Sequence, residues 1–150
     1  MESASPTRVL VVAHRTAATP ALLDAVRERA GRGPCVFTLL VPGGAHGLHK
    51  MLDPDDHRDL DEAQLVIELA LPLLEEAAGG PVEGIVGAAE PLDAIQDAVN
   101  LRGADEIIIS TLPARVSRWL RLDLPHKLAG LGLPVTTITA KERAPSGAAA

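Results

Sequence analysis

Ala104-Asp105-Glu106-Ile107-Ile108-Ile109-Ser110 is the stretch on which the fold turns. Three consecutive isoleucines, with acids before them and a hydroxyl after, suit a strand covered on both faces. A strand with one wet face would alternate instead. Arg8 to Ala13 has the same continuous, β-branched aliphatic character. Two such strands, far apart in the chain, point to the middle of a mostly parallel sheet.

Working outward, apolar runs and helical patterns alternate. Thr19-Pro20 places a cap residue before a proline at the first helical position. Leu22, Ala25, Val26 and Ala30 repeat at helical spacing, and Gly31 ends the segment. Cys35 to Val41 is the next strand, stopped by Pro42-Gly43-Gly44. Ala45 to Arg58 is polar, with turn signals at Gly47 and Asp53-Pro54-Asp55. Asp61 to Ala78 reads as a long helix, with Leu65, Leu69 and Leu73 and also Ile67, Leu71 and Leu74 on its apolar side. Pro72 is expected to kink it or split it. Val82 to Val86 is a short strand ending at Gly87, and a helix runs from Pro91 to Gly103. After the isoleucine strand, Thr111 to Leu122 is a basic connection. Asp123 can cap a short helix through Ala129, and Leu133 to Thr139 is the last strand.

Five strands separated by helices imply right-handed crossovers and an α/β fold of three layers, an open parallel five-stranded sheet. No linker and no repeat interrupts it, so one domain is expected over 8–140. Residues 1–7 and 141–150 are expected to be flexible ends. Ligands in such sheets bind at the C-terminal strand ends, near the point where strand order reverses. Those ends carry His14-Arg15-Thr16, Val41-Pro42, Gly87 and Ser110-Thr111.

Composition narrows the function classes. The 150 residues are 47% hydrophobic but 1% aromatic, with one Phe (Phe37), one Trp (Trp119) and no Tyr. Base-stacking platforms and aromatic cages need more rings than this. Lys and Arg total 14 against 20 Asp and Glu, a net charge of −6, which opposes nucleic acid and anionic membrane as partners. The single Cys35 forbids an internal disulfide and a cysteine-based zinc site, and its place in a strand suggests a buried structural thiol. The first residues lack a basic stretch followed by an apolar one, and Val9 to Ala13 is too short to span a bilayer. A cytoplasmic protein is expected. Glycine-rich nucleotide fingerprints, a Walker loop and a hydrolase elbow are all missing from the sequence.

The element order, the Ala104–Ser110 stretch and the ending Leu133-Pro134-Val135-Thr136-Thr137-Ile138 resemble the universal stress protein family. The likeness spans roughly residues 8–139. It implies a Rossmann-like sheet in the order 3-2-1-4-5 and a homodimer paired through the last strand. The family's ATP-binding branch carries Gly-x2-Gly-x9-Gly-Ser/Thr after strand four. An ungapped overlay puts Ser110, Pro113 and Asp123 at the three glycines and Leu124 at the hydroxyl position. Glycines let backbone N–H groups approach phosphate oxygens, whereas Pro113 has no N–H and Asp123 adds negative charge. The acidic residue that contacts nucleotide after strand one in ATP-binding members is His14 here. The resemblance therefore implies a member without the usual ATP site, and no cofactor is assigned.

The basic connection offers a substitute. Arg115, Arg118, Arg121 and Lys127 stand against one acid, Asp123, with Trp119 among them. Guanidiniums here, with His14, Arg15, Thr16, Val41, Ser110 and Thr111 across the same cleft, would form a pocket for a small anion. The plainer reading has these arginines paired with the protein's own carboxylates and Trp119 covering an apolar edge. Ser110 and Thr111, like Thr16 and Thr19, suit capping as well as ligand contact. His46, His49 and His57, with Asp53, Asp55 and Asp56, form a loop of weak metal candidates that reads equally as solvated surface, and no metal is assigned. His126 reads as a surface residue. Ser117 and Asp123 have no histidine partner defined by sequence, so no catalytic residue is assigned.

The expected function is a non-catalytic regulatory or stress-response domain that binds a small anion. Two alternatives stand beside it: an ATP- or AMP-binding protein with slow hydrolysis, and a dimeric interaction module.

Overall fold

The computed structural model describes residues 6–14, 16–43, 58–87, 91–111 and 124–139. Five strands form one parallel sheet in the order β3-β2-β1-β4-β5: β1 (Thr7–Val12), β2 (Cys35–Pro42), β3 (Val82–Gly87), β4 (Glu106–Thr111) and β5 (Val135–Thr139). The helices between them are α1 (Pro20–Gly31), α2 (Arg58–Ala78), α3 (Pro91–Arg102) and α4 (Leu124–Ala129). This is the expected order, and the isoleucine strand sits beside β1, Ile109 opposite Val12.

The continuous aliphatic runs are explained by two cores, one on each face. Val9, Val11 and Ala13 meet Phe37, Leu39 and Val41, covered by Leu22 and Val26 of α1 and by Ile67, Ala70 and Leu74 of α2. Leu10, Val12, Leu40, Ile107 and Ile109 form the other, covered by Ala94, Ile95 and Ala98 of α3 and by Leu128 of α4. Alternate residues thus enter alternate cores, and along these aliphatic runs neither face of β1 or β4 is left to water.

Helix α2 departs from expectation in the face it buries. Its buried stripe is Ala63, Ile67, Ala70, Leu74 and Ala77, whereas Leu65, Leu69 and Leu73 are exposed. Small residues on the inner face let the helix lie close to the sheet. At Gly84 of β3, a Cβ would run into the Ile67 side chain. Pro72 does not split the helix, which continues from Arg58 to Ala78. Pro72 lies on the exposed face, where the carbonyl it fails to bond can face water.

Smaller corrections have local causes. Thr19 occupies the N-cap position of α1 but makes no side-chain cap bond. Its hydroxyl donates instead to the Thr16 carbonyl, at 2.9 Å. The last strand starts at Val135, not Leu133. Pro134 has no N–H for the ladder, although its carbonyl accepts from Ile107 at 3.0 Å. Cys35 is half-buried rather than fully buried, and partial burial pushes its thiol pKa up.

Candidate functional site

Strand order reverses between β1 and β4, because the chain builds outward from β1 to β3 and then crosses back to β4. A crevice outside the C-terminal ends of those two strands is the natural ligand site of such a sheet. The register places His14 and Thr16, just past β1, next to Ser110 and Thr111 at the end of β4.

Three hydroxyl residues converge there, and all are buried: Thr16, Ser110 and Thr111. Ser110 Oγ donates to Thr16 Oγ1 at 2.8 Å. The loop after β1 is folded on itself as well, with Ala17 N–H donating to the His14 carbonyl and Thr19 N–H to the Thr16 carbonyl. The first turn of α1 follows directly and contains no acidic side chain. Its positive end is therefore not neutralised from within the helix. A hydroxyl-bridged loop thus joins the end of β4 to the start of α1.

His14 has a neighbour on α2. Its Nε2 lies 3.7 Å from Glu62 Oε1 on α2, an ion pair when the imidazole is protonated. Sequence offered no signal for Glu62 as its neighbour, because the contact depends on how α2 packs. Val41 is fully buried in the core at the end of β2, with no exposed side-chain surface. His126 is exposed on α4. Arg15, Arg115, Arg118, Trp119 and Asp123 lie outside the described residues, as do the metal candidates His46, His49 and His57. Among the described residues no group of His, Cys, Asp or Glu could hold a metal ion. None of the described helices is long and apolar enough to cross a membrane.

The opposite, N-terminal end of the sheet carries ion pairs that sequence reading did not single out. Arg29 of α1 grips Glu106 at 2.9 and 3.0 Å through two guanidinium nitrogens. The Arg8 N–H and guanidinium all donate to Asp105, holding that carboxyl below its ordinary range. Arg102 pairs with Glu83. A groove of about 390 Å³ lies there too, lined in part by Arg8, Thr38, Glu83, Leu101 and Arg102. Both of its arginines are spent on carboxylates, so it presents no cation for an anion.

No family model matches the chain, and no curated protein matches it significantly. Solved structures do. A universal stress protein from Archaeoglobus fulgidus is similar at 18% identity and TM-score 0.61, over 89% of this chain and 93% of that one. The structure of the Archaeoglobus protein in complex with dAMP matches at 19% identity and TM-score 0.57, over 90% and 98%. A universal stress protein family protein from Arabidopsis thaliana, with AMP bound, matches at 19% identity and TM-score 0.59, over 96% and 99%. The likeness runs through the whole sheet and its order, and the chain has the fold of the universal stress proteins.

Proposed function

We propose that this chain is a non-catalytic regulatory domain of the universal stress protein type, taking the phosphate of a nucleoside monophosphate in the β1–β4 crevice. The observation that carries the reading is the Ser110–Thr16 bridge at the switch point, which fixes both walls of the crevice before any ligand arrives. The unneutralised start of α1 favours an anion beside it. Structural neighbours holding AMP and dAMP support a ligand of that size. A triphosphate is disfavoured by the residues that replace the family's glycines, Pro113 and Asp123 above all. Arg115 and Arg118 would supply the cations in this reading.

Calorimetric titration with AMP, ATP and inorganic phosphate tests it, repeated on Arg118→Ala. AMP binding that weakens in the variant, without turnover, is the expected result. Micromolar ATP affinity with hydrolysis would overturn the non-catalytic reading. No binding of any of the three would overturn the pocket.

A second reading, self-pairing through β5, is favoured by the position of that strand. Among the described residues it is a sheet edge paired with β4 alone, and Thr136, Thr137 and Thr139 are exposed along it. Light scattering decides it: a monomer at micromolar concentration refutes the dimer.

A further inference from the structure

We propose that the outer face of α2 is a docking strip for a basic amphipathic helix presented by another protein. Leu65, Leu69 and Leu73 follow one another at four-residue spacing, and they remain 53%, 66% and 41% exposed. Pro72, also exposed, lies beside them. The buried stripe that ends at Ala77 faces the sheet, so these leucines contribute little to the core. Single exposed leucines are ordinary, but an aligned row of three on one helix is the pattern of a helix-binding surface.

The charges around the row choose the occupant. Glu62, Glu68 and Glu76 are exposed on the same helix, and from Glu62 to Ala78 there is no Lys or Arg. A second copy laid antiparallel along α2 and centred on Leu69 would set Glu62 against Glu76 at both ends, so self-pairing is opposed. Three partly exposed leucines also fall far short of the ~800 Å² per partner that a standard interface buries. An anionic membrane surface is opposed by the same glutamates. A single helix with its own aliphatic row and flanking Lys or Arg satisfies both the shape and the charge.

The test uses the full chain and two synthetic peptides of about 18 residues, long enough to lie along the strip. Both carry leucines at helical spacing; one has lysines flanking them and the other glutamates. The lysine peptide should bind at least tenfold more tightly than the glutamate peptide, with amide shifts confined to α2. Leu65→Ser/Leu69→Ser should lose at least tenfold of that affinity. Should that variant misfold, Glu68→Lys/Glu76→Lys replaces it and should reverse the peptide preference. Equal binding of the two peptides, or lysine-peptide binding untouched by either variant, would overturn the proposal. So would a dimer in sedimentation that Leu69→Glu dissociates, which would make a second copy the occupant.

Discussion

Ser110 Oγ donates a 2.8 Å hydrogen bond to Thr16 Oγ1, joining two residues 94 positions apart. Both side chains are buried. The bond crosses the place where the strand order reverses, so one contact ties the β1–α1 loop to the end of β4. A hydroxyl taken out of water there must find a partner, and the Ser110 donor finds it in the Thr16 oxygen.

Removing one partner leaves the other hydroxyl buried without it. Ser110→Ala and Thr16→Val should each cost about 1–2 kcal/mol in urea unfolding. The double variant should cost less than the sum of the two, because it leaves no orphan. Additive losses would mean that the two hydroxyls are satisfied independently.

Arg29 and Glu106 make the most enclosed ion pair among the described residues, with the Arg29 side chain 9% exposed and Glu106 30%. Glu106→Gln removes the counter-charge and leaves a nearly buried guanidinium behind. A loss of about 2–3 kcal/mol is expected, below the ~3–5 kcal/mol of fully buried pairs because Glu106 still sees solvent. Replacing both, as Arg29→Met/Glu106→Leu, should recover much of it. Chemical denaturation of the three variants measures this.

The two-sided burial of β1 and β4 was legible from Val9–Val12 and Ile107–Ile109, because a strand covered on both faces has no room for polar residues. The exposed face of α2 was not. Leucines recur along it often enough to form two apolar stripes, and hydrophobicity cannot rank them. Packing ranks them through Ala63, Ala70 and Ala77 and through the space at Gly84. In the site, Thr16, Ser110 and Thr111 could be placed at strand ends from sequence. The bond between Thr16 and Ser110 could not, since it needs the register that sets Val12 opposite Ile109. Nor could the Glu62 neighbour of His14, which depends on the depth at which α2 docks.

Asp105 links the pH dependence of stability to Arg8. Hydrogen bonds from the Arg8 side chain and backbone lower its pKa from the ordinary 3.8. A carboxyl depressed in the folded state adds stability above its unfolded pKa and loses it as pH falls through the folded one. The gap between wild type and Asp105→Asn should therefore be constant from pH 7 to about pH 5 and close below about pH 4. Urea midpoints across that range measure it, and a gap that persists undiminished in strong acid would contradict the assignment.

Gly103 ends α3 with φ +80°, its N–H donating to the Val99 carbonyl at 3.0 Å. A Cβ there would meet the Arg8 guanidinium. Gly103→Ala should cost about 1 kcal/mol for the left-handed backbone. It should cost more than that in total, because Arg8 must also leave Asp105. In an Arg8→Ala background only the backbone part should remain, so the penalty of Gly103→Ala should shrink. Thermal melts of the four proteins separate the two contributions.

Leu74 and Leu69 share a helix and differ in what surrounds them. Leu74 is 1% exposed between α2 and the sheet, whereas Leu69 faces solvent. Leu74→Ala leaves a cavity that neighbouring strands cannot fill, and about 3 kcal/mol should be lost. Leu69→Ala removes apolar surface that was already in water and trades leucine for a better helix former, so stability should change by less than about 0.5 kcal/mol. Equal losses would mean that the outer leucines are covered in the folded chain. In that case α2 would be packed on two sides and would have no face left to offer a partner.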